Sequence, residues 1–237
     1  MRSCLVSALL FLAASGASAQ DLVIPDVAYP TLPATAATKA GLVPPGWKLE
    51  AEATGDLSGD GRADLALVLH DADPHNIVSN KGGLGEQALD TNPRILAVAI
   101  ARREGGYALV AQDHALIPRR IEPTLEDPMA NGGIVIAHGT LRVSVSFFSS
   151  AGSWDMERNT YALRYRQGQL QLIGYDSTEV ARNTGALTET RINYLTHVKQ
   201  VATGTIETDT SLVKRSRIPA APLLTLDKIG NGLEFEP

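Results

Sequence analysis

Between Gly133 and Leu172 apolar and polar residues alternate with a period of two, which an extended strand satisfies and a helix does not. Leu141, Val143, Val145 and Phe147 fall on one side of such a strand, and Arg142, Ser144 and Ser146 on the other. Tyr161, Leu163 and Tyr165 continue the alternation, Gln167-Gly168 turns the chain, and Leu170 and Leu172 resume it. Consecutive strands joined by short turns form an antiparallel meander. Residues 95–101 and 107–111 flank Glu104-Gly105-Gly106, a hairpin pattern, and 190–196 and 198–203 are expected as strands after an Asn183-Thr184-Gly185 turn. Helical periodicity is nearly absent. The expected fold is mainly β, an antiparallel meander or sandwich-like sheet with one face buried and little helix.

The first residues predict export. Arg2 supplies a positive start, 5–14 an apolar stretch, and Ala17-Ser18-Ala19 a small-residue cleavage site before Gln20, so 1–19 reads as a signal peptide. That places the mature chain in the periplasm or outside the cell. The apolar stretch falls short of the roughly 20 residues a bilayer-spanning helix needs, and no later segment replaces it. No membrane span is expected. Cys4, the one cysteine, lies ahead of the apolar stretch in the leader, so the mature chain has no disulfide and rests on core burial, aided by any bound ion. The net charge of −5 is spread rather than gathered in blocks, which gives no reason to expect nucleic acid or an anionic membrane as partner.

Pro25, Pro30, Pro33, Pro44 and Pro45 make 20–46 an extended arm over a surface, with a helical turn around 34–40. Residues 47–237 are expected to form a single β-rich domain. Within it, 47–53 alternates like a half-buried strand and 64–69 is mostly apolar, which gives a strand, loop, strand plan around 56–64. Residues 74–93, with Gly82, Gly83 and Gly85, read as a long loop, and 118–128 as a second, exposed one.

The loop at 56–64 carries the most legible chemistry. Asp56, Ser58, Asp60 and Asp64 place oxygen-bearing side chains at positions one, three, five and nine, with Gly61 at six. Hard Ca²⁺ takes several oxygens at about 2.3–2.6 Å, and alternate residues of a tight loop can aim theirs at one point. Arg62 would add its carbonyl, and Gly61 permits the sharp turn. Gly55-Asp56-Leu57-Ser58-Gly59-Asp60-Gly61-Arg62-Ala63-Asp64-Leu65 resembles the calcium loop of FG-GAP and VCBS-type repeats, found in integrin-like propellers and many secreted bacterial proteins. The resemblance implies a structural Ca²⁺ held by Asp56, Ser58, Asp60 and Asp64, with Arg62 contributing through its backbone. Position three is Ser58 where the family more often has Asp or Asn. The loop also occurs once, whereas a propeller needs several similar blades, so a propeller is not expected. Asp90-Thr91-Asn92-Pro93-Arg94, Ser149-Ser150-Ala151-Gly152-Ser153-Trp154 and Ile192-Asn193-Tyr194-Leu195-Thr196 are similar to single-loop exported bacterial proteins of this kind, a group that implies no activity.

Other clusters have simpler readings. His70-Asp71-Ala72-Asp73-Pro74-His75 holds donors for a transition metal but fits no ligand spacing, and a strand over 64–69 carries His70 roughly 20 Å from Asp64. A polar turn is preferred. Ser149 to Ser153 lacks the Gly-x-Ser-x-Gly elbow, and nothing in the sequence brings His114 or His138 to it. Lys81-Gly82-Gly83-Leu84-Gly85 lacks the ending of a phosphate loop. Glu122, Glu126 and Asp127 are read as solvated surface rather than a hydrolytic carboxylate pair. Phe147, Trp154 and Tyr161 are assigned to a core, and Phe148 to the opposite face. With no catalytic set and no cofactor besides Ca²⁺, the expected function is a non-enzymatic periplasmic domain that binds a protein or glycan of the envelope. The alternatives are an envelope hydrolase whose site is assembled only in three dimensions, and a recognition module with an apolar patch at Phe148 and Trp154.

Overall fold

Short turns force sequence neighbours to pair, and the C-terminal half of the chain does so throughout. The computed structural model describes residues 22–208 and 211–237, so the leader expected at 1–19 lies outside the described residues. Strands β8 (Gly133–Ala137), β9 (Thr140–Phe148), β10 (Asp155–Arg166), β11 (Gln169–Ala181), β12 (Ala186–Asn193), β13 (Val198–Thr205) and β14 (Leu212–Arg217) form one antiparallel meander in chain order. Upstream lie β1 (Thr35–Ala36), β2 (Trp47–Gly55), β3 (Asp64–Asp71), β4 (Ile77–Ser79), β5 (Ala88–Asp90), β6 (Arg94–Ala101) and β7 (Tyr107–Asp113). These make a five-stranded sheet of order β1-β7-β6-β3-β2 and a separate β4-β5 hairpin, again antiparallel. The described residues are mainly β and form neither a propeller nor a closed barrel. Among the described residues helix is limited to 3₁₀ turns at Lys39–Leu42, Pro74–Asn76 and Leu226–Lys228, and no helix is long and apolar enough to cross a membrane.

The main core lies between the two sheets. Leu141, Val143, Val145, Leu163 and Leu172 of the larger sheet meet Ala66, Val68, Leu96 and Val98 of the smaller. The expectation of one buried face holds for the meander and fails for the five-stranded sheet. Leu65, Leu67, Leu69, Ile95, Ala97 and Ala99, on its other face, form a second core closed by Leu32 and Leu42 of the arm, with Tyr29 and Trp47 beside them. The reason is composition: β3 and β6 are apolar at both parities, as strands buried on both faces are. Each buried leucine contributes about 1.5–3 kcal/mol, so the arm is a layer of the fold and not a surface tether.

Prolines remove donors from the arm, and side chains of the body supply part of its bonding beside the backbone pairing with β7. The amide of Gln112 accepts from Leu32 N at 3.0 Å and donates to Pro30 O at 2.7 Å, while Arg119 Nη1 donates to Pro25 O at 2.7 Å. Where a helical turn was expected around 34–40, the chain instead pairs Thr35 and Ala36 with β7 and makes its 3₁₀ turn later. Residues 74–93 are likewise not one loop, because β4 and β5 pair inside them. The strand expected at 190–196 runs over β12 and stops at Asn193, whose Oδ1 accepts from Thr196 N at 2.9 Å and closes the turn.

Candidate metal centre

β2 and β3 pair with Gly55 opposite Asp64, so the intervening loop leaves and re-enters the sheet at one point. Reversal within it uses Gly59 at φ 82° and Gly61 at φ 84°, left-handed values that a Cβ disfavours. Asp56 organises the tip: Oδ1 accepts from Gly59 N at 2.7 Å and Asp60 N at 3.2 Å, and Oδ2 from Gly61 N at 2.9 Å. These bonds, that of Gly61 foremost, hold its carboxyl below the usual carboxylate range. Ser58 Oγ lies 3.5 Å from Asp56 Oδ1.

Asp64 organises the base and is wholly buried. Its Oδ2 accepts from Leu57 N and Ser58 N, each at 2.8 Å, and its Oδ1 from Ala101 N at 2.8 Å. Asp60 Oδ1 accepts from Arg62 N at 2.9 Å, and Oδ2 pairs with the Arg62 guanidinium. Every backbone N–H from Leu57 to Arg62 is therefore taken by a loop carboxylate.

The donor types, three carboxylates, one hydroxyl and one carbonyl, suit a hard cation. A carboxylate oxygen accepts in two lone-pair directions, and Asp56 Oδ2 and Asp64 Oδ1 each carry one hydrogen bond, which leaves one direction free on each. Asp60 Oδ1 likewise keeps one direction, while its Oδ2 is engaged by the Arg62 guanidinium. Among the described residues no three His, Cys, Asp or Glu side chains are gathered around one point.

The remaining candidates fall where their turns put them. His70, the penultimate residue of β3, has Nδ1 3.7 Å from Glu50 Oε1, whereas the exposed His75 lies with Nδ1 2.7 Å from Asp73 Oδ1, which also accepts His75 N at 2.9 Å. Asn80 Nδ2 donates to Leu84 O at 2.8 Å and Glu86 O at 2.9 Å, which makes the glycines after it the tip of the β4–β5 hairpin. Ser149 Oγ donates to the Ala151 carbonyl, His114 stacks on Tyr29 with centroids 4.3 Å apart, and His138 sits in the β8–β9 turn at φ 51°. Phe148 does face away from Phe147's side of β9, and Arg182 lies over its ring at 4.4 Å and over that of Trp154 at 5.8 Å. Tyr161 is core, whereas Trp154 is 64% exposed.

Asp127 departs from the surface reading. The Arg94 guanidinium, 3% exposed, is held by Glu50 at 2.6 and 2.7 Å and by Asp127 Oδ2 at 2.7 Å. Burial works against that charge, and the two carboxylates outweigh it. Sequence reading also missed Glu157 and Glu179, which stand directly opposite one another on β10 and β11 beside a cleft of about 460 Å³. Burial, and next the charge of Glu179, push the Glu157 carboxyl up. Counting outward from the Gln167-Gly168 turn would set Glu157 opposite Thr178; the register shift at Ala162/Leu163 moves the pairing to Glu179, which the sequence does not announce. Comparison with protein-family models, with curated proteins and with solved structures finds no match.

Proposed function

We propose that this chain is an exported, non-enzymatic β domain of the bacterial cell envelope, with one structural Ca²⁺ in the 56–64 loop, that acts by binding a protein or a glycan. The observation that carries the reading is the commitment of Asp56, Asp60 and Asp64 to a closed set of backbone bonds between two paired strands. Such a frame holds oxygen donors in place without a catalytic acid, base or nucleophile beside them. Asp56, Ser58, Asp60, Asp64 and the Arg62 carbonyl would hold the ion, which would supply charge neutralisation and stability by mass action. At a concentration one hundred times its dissociation constant, an ion bound only by the native state adds about 2.7 kcal/mol.

Thermal unfolding in calcium and in chelator tests this. Melting should rise by several degrees with calcium, and Arg62→Gln, which frees Asp60 and keeps the carbonyl, should sharpen the response. Superimposable curves, with no ion found by native mass spectrometry, would overturn the calcium assignment. Recovery of a specific partner from periplasmic extract tests the binding role.

A second reading, a glycan hydrolase of the envelope, draws on one observation. Residues directly opposite in an antiparallel pair have Cβ atoms about 4.5–5.5 Å apart, and a retaining glycosidase needs its carboxyls about 5–5.5 Å apart. Register brings Glu157 and Glu179 near enough for their carboxyls to work as a pair, with one of them shifted upward as a general acid requires. Turnover of a cell-wall glycan that disappears in a folded Glu157→Gln variant would favour this reading over the first.

A further inference from the structure

The outer face of the seven-stranded sheet, turned away from the core, carries a depression of about 560 Å³. Its shape follows from register. Arg142 lies opposite Ala162, Ala162 opposite Gly174, and Gly174 opposite Asn193, so the middle of this row has almost no side chain. In the neighbouring row Asp176 lies opposite Arg191, Arg191 opposite Gln200, and Gln200 opposite Arg215. Arg164, two residues beyond Ala162, points the same way by alternation. Four arginines thus surround a floor of alanine and glycine, Arg142 and Arg164 on one side, Arg191 and Arg215 on the other.

These guanidinium groups are weakly engaged. Arg142 Nη1 is 3.5 Å from Asp176 Oδ2, the one carboxylate in the lining. Arg164 Nη2 donates to Thr140 Oγ1 at 3.4 Å, Arg215 Nε to Gln200 Oε1 at 3.2 Å, and Arg191 Nη2 lies 3.8 Å from Glu189 outside the lining. An arginine presents five donors, so most of theirs are uncommitted. A cationic depression on a chain of net charge −5 reverses the sign of the molecule's overall field, and concave sites of one sign concentrate counter-ions.

We propose that this depression is a binding site for a small polyvalent oxyanion, a molecule with at least two carboxylate or phosphate groups. Arginine is the side chain whose planar fork matches both groups bidentately. Two groups suit the site because the arginines stand on both sides of the floor: β10 and β12 are two strands apart, about 10 Å between backbones, so a ligand charged at both ends engages both pairs at once. Asn193, Thr196 and Gln200 add neutral donors and acceptors for the part of the ligand between its charges. The site does not depend on the 56–64 loop or its ion.

Titration calorimetry on the full chain, with tripolyphosphate and with citrate as probes, tests the proposal. One molecule of at least one probe should bind per chain, and the better probe tells phosphate from carboxylate. Arg142→Gln combined with Arg191→Gln should weaken binding at least tenfold; both side chains are more than half exposed, so the fold should be retained. Gly174→Leu adds bulk where a Cβ meets only ordinary contacts with Ala162 and Ile192, and should block the site without changing its charge. Lys39→Gln, in the arm, is the control and should change nothing. Failure of both probes to bind the parent, or equal weakening by the control and the arginine pair, would overturn the proposal.

Discussion

Asp64 Oδ1 accepts the backbone N–H of Ala101 at 2.8 Å and so ties the base of the 56–64 loop to the end of β6. Its other oxygen holds Leu57 and Ser58. Asp64→Asn keeps the shape, but whichever way the amide is turned, its NH₂ meets an N–H. Charge-assisted bonds contribute about 1.5–3 kcal/mol, and a buried donor left unpaired costs about 1–3 kcal/mol. The variant should lose about 2–3 kcal/mol in urea unfolding, and should do so in chelator as well as in calcium. A loss confined to calcium would mean that Asp64 serves the ion alone.

Arg94 is the centre of a buried ion network that fastens Glu50 of β2 and Asp127 of the 118–128 segment to β6. Removing one partner of a buried pair costs about 3–5 kcal/mol because the other is left uncompensated. Glu50 and Asp127 keep 29% and 36% side-chain exposure and can recover some hydration. Arg94→Met should therefore destabilise by about 3 kcal/mol, the low end of that range, with limited proteolysis opening 118–128 first. Cleavage there at the parent rate would show that Asp127 is not what holds the segment.

What was legible in the sequence is what is local. The alternation of Leu141, Val143 and Val145 fixes β9 and its faces, and the bonds at the tip of the 56–64 loop join residues only a few positions apart. What was not legible depends on partners far along the chain. The apolar residues at both parities of β3 and β6 already implied two-faced burial, yet only the structure shows that Leu32 and Leu42 supply the second cover. Arg94 meets partners 44 and 33 residues away. Arg142, Arg164, Arg191 and Arg215 come from four strands, and no spacing within any one strand announces that pairing register gathers them around Ala162 and Gly174.

Asn159 and Tyr161, both buried, fasten the C-terminal segment: Nδ2 of the first and the hydroxyl of the second donate to Gly232 O at 3.1 and 2.7 Å. Asn159 Oδ1 also accepts the Tyr175 hydroxyl at 2.8 Å, and burial pushes that phenol up to about 12. Tyr161→Phe removes one donor from a carbonyl that keeps another, and should cost about 1 kcal/mol. Asn159→Ala removes two bonds and strands a buried hydroxyl, so about 2–3 kcal/mol is expected. Denaturant unfolding checks the order, and equal losses for the two would contradict it.

Glu157 and Glu179 give a pH dependence whose sign can be worked out. Burial first, and the Glu179 charge second, raise the folded-state pKa of Glu157 above its unfolded value. The folded protein then binds more protons than the unfolded chain between those two values, so the contribution of Glu157 to stability falls as pH rises through that window. Above the folded value both states are ionised and the penalty is complete; below the unfolded value, about 4.3, both are protonated and it vanishes. Like charges directly opposite in a sheet cost a few tenths to about 1 kcal/mol. Glu157→Gln should therefore stabilise the protein by about 0.5 kcal/mol at pH 7 and by nothing at pH 3.5, measured as the shift in urea midpoint. A variant less stable than the parent at pH 7 would mean that the ionised carboxylate is held by compensating bonds, and that it is not the raised member of a strained pair.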